Sequence, residues 1–180
     1  MTAVTLIGSR AAGTATDYSD WDFAVEVDDF HAVGTALSSR LAALKPLAQQ
    51  WDPLSEHWCY MLMLAGPTKV DLLFPAEPHQ AEPSWVVSAE TLVPIDRHFW
   101  DWFLWLTSKE ASGKNELVSA ELDKMWRHLL RPLGIGEPPS ALDKALWSYL
   151  EARQAVEAKL GVEVPRRLER EVRKVWPGSS

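Results

Sequence analysis

The chain has 180 residues, 47% of them hydrophobic and 24% charged, with a formal net charge of −7. That composition fits one globular domain, or a small domain with an appendage, and argues against a broadly basic nucleic-acid-binding face. A single cysteine excludes both an internal disulfide framework and a cysteine-rich zinc centre.

The charge is unevenly spread. Residues 1–80 hold 4 Lys/Arg against 10 Asp/Glu, a net of −6, whereas residues 81–180 hold 14 against 15, a net of −1. An acidic pocket repels phosphates unless cations sit in it, so the asymmetry favours metal-mediated over direct phosphate binding. No apolar run approaches the length of a membrane span and no charged leader precedes an apolar segment, so a soluble, cytoplasmic chain is expected.

In chain order, Thr2 to Ile7 is β-branched and apolar, is closed by Gly8, and reads as a strand. Residues 8–19 are small and polar, suiting a turn and one helical turn. Phe23 to Val27 reads as a second strand. Asp28 or Asp29 then caps a helix over 30–45, where Ala32, Val33, Ala36, Leu37, Leu41 and Leu44 recur at helical spacing until Pro46.

In "HWCYMLMLAGPTKVDLLF" two apolar runs flank Gly66-Pro67-Thr68-Lys69, which predicts an antiparallel hairpin with Cys59 as a buried thiol. The proline-bearing stretch 81–94 reads as a linker. From 95 the pattern turns helical: an aromatic helix to about Gly113, a second over 115–132, a third over 140–160 ending at Gly161, and a short basic helix, "PRRLEREVRKVW". The expected fold class is α+β: a small mixed sheet flanked by helices over 1–80, followed by a helical bundle over 95–180, with the active cleft between them.

Three carboxylates carry the chemistry. A strand alternates its side chains, so Asp20 and Asp22 point the same way and Trp21 the opposite way, into packing. Two carboxylates on one face repel unless a proton or a divalent cation lies between them. Asp71 sits in "KVDLLF" among apolar residues, where a carboxylate is costly to bury unless paired or metal-bound. The hairpin lies beside the Asp22 strand in any compact sheet, so all three can converge. Gly8-Ser9, just after the first strand, offers a place where phosphate oxygens can approach the backbone.

The pattern "IGSRAAGTATDYSDWDFAV" followed by "KVDLLF" resembles the polymerase-beta-type nucleotidyltransferase superfamily over residues 3–74. More loosely, "FWDWFLWLTSKEASGKNELVSAEL" is similar to the helical region of its minimal and aminoglycoside-modifying branch. The resemblance implies Mg²⁺, as two ions, on Asp20, Asp22 and Asp71. It also implies that Asp71 helps to deprotonate the acceptor and that the triphosphate of ATP or another NTP is held by Gly8, Ser9 and Lys109. The implied reaction moves a nucleoside monophosphate, AMP in the first instance, to a hydroxyl on a small molecule of aminoglycoside type. The alternatives are a partner protein as acceptor, as in antitoxin nucleotidyltransferases, or a non-catalytic nucleotide-binding module. A general base is not assigned, with Glu56, Glu90 and Glu110 open. A dimer is compatible with the Trp-rich helical part, and nucleic acid and membrane partners are not expected.

Other conspicuous residues have simpler readings. Arg10 suits bracing of the loop or pairing with an acid, with a phosphate contact open. Trp100, Trp102 and Trp105 recur at helical spacing, which suits core or interface residues more than an aromatic cradle for a base or an aglycone. The five histidines lack metal-ligand spacing, and the C-terminal Arg/Lys cluster alternates with glutamates, as on a solvated helix.

Overall fold

The computed structural model describes residues 3–16, 19–66, 68–81 and 84–176. Thr2, expected to open the first strand, and Pro67, in the expected hairpin turn, lie outside them. The chain forms two compact units, Met1–Glu82 and Pro83–Ser180. It is an α+β protein with one five-stranded mixed sheet.

In the first unit, β1 (Ala3–Ile7) runs into a single helical turn, α1 (Gly8–Ala11), and a loop leads to β2 (Trp21–Glu26). Helix α2 (Phe30–Leu41) follows, with a 3₁₀ turn at Ala42–Leu44, and then β3 (Ala48–Trp51), β4 (His57–Leu64) and β5 (Thr68–Pro78). The strand order is β1-β2-β5-β4-β3. Only β2 and β5 are parallel, and they are central. The α2–β3–β4 excursion between them supplies the long connection that a parallel pair requires.

Asp29 is the residue that caps α2: its carboxylate accepts a 2.9 Å hydrogen bond from the Ala32 N–H. The helix lays Phe30, Val33, Leu37 and Leu41 on one face of the sheet, against Val25, Trp51, Trp58, Tyr60, Leu72 and Phe74. Gly34 permits the close approach, since a Cβ there would lie 3.3 Å from the Trp51 ring. By strand alternation the opposite face carries Cys59, Met61, Met63, Lys69 and Asp71. Cys59 is buried, as a structural thiol should be.

Two differences from the sequence reading concern proline and polarity. β5 continues through Pro75 to Pro78, where its pairing with β4 has an irregularity between His57 and Trp58, the kind of place where a strand tolerates proline. β3, with the sequence AQQW, has too little apolar alternation to announce itself, yet pairs fully with β4.

The second unit holds α3 (Leu92–Ala111), α4 (Asn115–Met125), a π turn (Trp126–Leu130), α5 (Leu142–Leu160) and α6 (Arg167–Val175). α3 begins at Leu92, ahead of the expected start, because Pro94 occupies its first turn, where no intrahelical N–H is needed. α4 gives way to the π turn at Trp126, short of the expected end at 132, and the Arg131 N–H bonds the Trp126 carbonyl at 2.8 Å. α3 is buried on nearly all sides, with Phe99, Trp100 and Phe103 fully inaccessible and Trp102 nearly so. α5 ends at Gly161 in the left-handed conformation, φ 67°.

Deep in this unit, the Asp96 carboxylate accepts from Trp100 Nε1 (3.1 Å), Tyr149 OH (2.6 Å) and Arg153 (2.7 Å), and Arg153 also reaches Glu169 at 2.6 Å. Among the described residues, no helix is long and apolar enough to cross a membrane.

Candidate metal centre

The three aspartates meet because of register. Asp22 on β2 lies opposite Asp71 on the parallel β5, and Ile7, the last residue of β1, lies opposite Asp22. Asp20 precedes β2 by one residue and is 7% exposed. One carboxylate oxygen from each of Asp20, Asp22 and Asp71 can be chosen so that all lie within 4.8 Å of one another. Among the described residues, this is a donor set of hard oxygens of the kind Mg²⁺ and Ca²⁺ accept.

Two details of the first unit shape the cluster. Gly8 takes φ +68°, and a Cβ there would stand 2.2 Å from Asp22 Oδ2. The missing side chain makes room for a carboxylate, which is a steric reason for a glycine at the end of β1. Asp71 Oδ1 is buried without a hydrogen-bond partner, so one oxygen of that carboxylate is left for a cation. The residues present therefore fit a divalent cation.

Arg10 fixes the approach to Asp20. Its Nε donates to the Asp20 carbonyl at 3.0 Å and to the Ser19 carbonyl at 3.2 Å, and its Nη2 reaches the latter at 2.5 Å. This is the bracing role expected for it. The guanidinium also lies 4.2 Å from the centre of the Trp21 ring. Trp21 does face away from the carboxylates, but it remains 37% exposed beneath Arg10 rather than entering the core, which corrects the expectation of packing. The loop closes on itself through the Thr14 N–H, which donates to the Ser9 carbonyl at 2.9 Å, and the Thr16 N–H, which donates to Ser19 Oγ at 2.9 Å.

Gly8 and Ser9 thus open the turn beside Asp22, in the same unit as the aspartates. Lys109 belongs to the second unit, on α3, where its ammonium stands 5.0 Å from the centre of the Trp105 ring. Trp100 and Trp102 are core residues. Trp102 Nε1 donates to Glu121 at 3.1 Å.

Sequence reasoning missed Lys69. It reads as a turn residue in "GPTK", yet it is 8% exposed, hydrogen-bonded to Asp71 Oδ2 and 4.0 Å from Asp20 Oδ2. The signal was present in the spacing: Lys69 and Asp71, two apart on one strand, share a face.

No family model matches the chain, and no curated protein matches it in sequence. Among solved structures, it is similar to an aminoglycoside 6-adenyltransferase from Bacillus subtilis, at 12% identity and a TM-score of 0.41, over 98% of this chain and 90% of that one.

Proposed function

We propose that this chain is a metal-dependent nucleotidyltransferase that moves AMP from ATP to a hydroxyl group of a small, aminoglycoside-like acceptor. The observation that carries the reading is the convergence of Asp20, Asp22 and Asp71, from the start of β2 and its parallel neighbour β5, beside the Gly8-Ser9 turn. The motif resemblance adds to it.

In this reading Asp20, Asp22 and Asp71 hold Mg²⁺. When bound, the metal neutralises the triphosphate and the charge developing on the leaving pyrophosphate. Arg10 holds the backbone at Asp20 so that its carboxylate faces the cluster. Gly8 keeps room for the Asp22 carboxylate, and Gly8 and Ser9 receive phosphate oxygens.

The acceptor oxygen attacks the α-phosphorus and forms a new P–O bond. The bond from that phosphorus to the bridging oxygen breaks, and pyrophosphate departs with the electron pair. The hydroxyl proton passes to a carboxylate, the role that the motif resemblance gives to Asp71.

The test is incubation with α-labelled ATP and Mg²⁺, against a panel of aminoglycosides and, separately, a protein extract. Label on an aminoglycoside with equimolar pyrophosphate is the expected result. Label on a protein band instead moves the acceptor to a partner protein. Tight ATP binding without pyrophosphate release makes the chain a binding module and refutes the enzymatic reading.

A further inference from the structure

The sequence pattern accounts for three carboxylates but not for the cation already among them. Lys69 lies on β5 opposite Met63 of β4, one rung from the turn, and its side chain is 8% exposed. Its ammonium donates to Asp71 Oδ2 and stands 4.0 Å from Asp20 Oδ2, whose side chain is also 8% exposed. Burying a lysine to this degree is unfavourable unless opposite charge compensates it. Gathering three carboxylates within 4.8 Å is likewise unfavourable without a positive charge among them. Each solves the other's problem: three negative charges and one positive leave the cluster at −2, the charge that a single divalent cation neutralises.

The geometry splits the work of Asp71 between its two oxygens. Oδ2 is anchored by Lys69, and Oδ1 is buried without a partner. The ammonium and an incoming metal therefore draw on the same carboxylates.

Resting on the metal-centre reading above, we propose that Lys69 is an internal counter-cation. In the metal-free protein its ammonium holds Asp20 and Asp71 together, and a divalent cation binds in competition with it. Lys69 is thus a positioning residue that sets the affinity of the centre. Its presence keeps the folded apoprotein stable and weakens metal binding below what three bare carboxylates would give.

The experiment uses the full chain and Mn²⁺ as the probe, read by the loss of the free-ion paramagnetic signal, with thermal melts in EDTA alongside. Lys69→Met keeps the bulk and removes the charge. The expected result is Mn²⁺ binding at least about tenfold tighter than wild type, since a positive charge is removed a few ångströms from the ligands. In EDTA the variant melts below wild type, and Mn²⁺ restores it by more than it raises wild type. Lys69→Met combined with Asp71→Asn returns the cluster to −2 without an ammonium, and should melt near wild type in EDTA while losing Mn²⁺ affinity.

If the single variant does not fold and the double variant does, charge compensation is supported directly. If neither folds, the lysine serves packing and the proposal is overturned. It is also overturned if folded Lys69→Met binds Mn²⁺ no more tightly than wild type. Failure of the wild-type chain itself to bind Mn²⁺ would instead strike the metal-centre reading.

Discussion

Replacing Gly8 by alanine should separate backbone strain from damage to the carboxylate cluster. At φ +68° an alanine costs about 1 kcal/mol relative to glycine. Its methyl group would also meet Asp22 Oδ2 at 2.2 Å, Cγ at 3.1 Å and Cβ at 3.3 Å. Restoring ordinary contact requires the carboxylate to withdraw by roughly 1 Å or more, and a displacement of that size at a reacting centre costs on the order of 100-fold in rate. Gly13 supplies the control, for it shares φ +68° but has nothing within 4 Å of an added Cβ. Both alanine variants should lose about 1 kcal/mol, a Tm decrease of about 2–4 °C at this chain length. Gly8→Ala alone should also lose Mn²⁺ affinity and nucleotidyl transfer, assayed by metal titration and pyrophosphate release. Equal metal affinity and equal transfer in the two variants would refute the claim that Gly8 exists to seat Asp22.

Other expectations follow from single contacts. Arg10→Met removes the donor to the Ser19 and Asp20 carbonyls and should weaken Mn²⁺ binding several-fold while far-ultraviolet circular dichroism stays unchanged. Asp96→Ala strands the buried Arg153 guanidinium and the hydroxyl of Tyr149; urea denaturation should show a loss of about 3–5 kcal/mol. The Glu157 carboxyl is pushed up by burial, but its bonds from Arg166 and the Val164 N–H outweigh that and hold it below the ordinary 4.5. Because the folded state holds the lower value, the stability this group adds is complete above about pH 4.5 and is lost as pH falls through the lowered value. Glu157→Gln should therefore flatten the acid limb of a stability–pH profile measured by urea melts from pH 6 to pH 3.

Much of the site was legible because strand periodicity is strict. Asp20 and Asp22 had to share a face, and a lone Asp71 inside an apolar run had to be compensated. The register that sets Asp22 opposite Asp71 then completes the cluster. Lys69 was hidden because a residue next to Gly-Pro-Thr reads as solvent-exposed turn, and only the pairing of Lys69 with Met63 places it inside the sheet. Trp21 shows the limit of alternation: the pattern gave the direction of the ring correctly, but its cover is Arg10 rather than a core. Among the elements, β3 escaped because Gln49 and Gln50 carry no apolar signal, and α3 began early because a proline in a first turn looks, in sequence, like a break. The π turn after Met125 has no counterpart in hydrophobic spacing at all.

The most direct test of the account compares wild type with Asp22→Asn in the transfer of label from α-labelled ATP to the acceptor, at saturating Mg²⁺. Asparagine keeps the shape and removes the charge that would hold a cation, so label should appear on the acceptor with wild type and fall at least about 100-fold with the variant. Transfer by Asp22→Asn at the wild-type rate would contradict the assignment of this cluster as the catalytic centre.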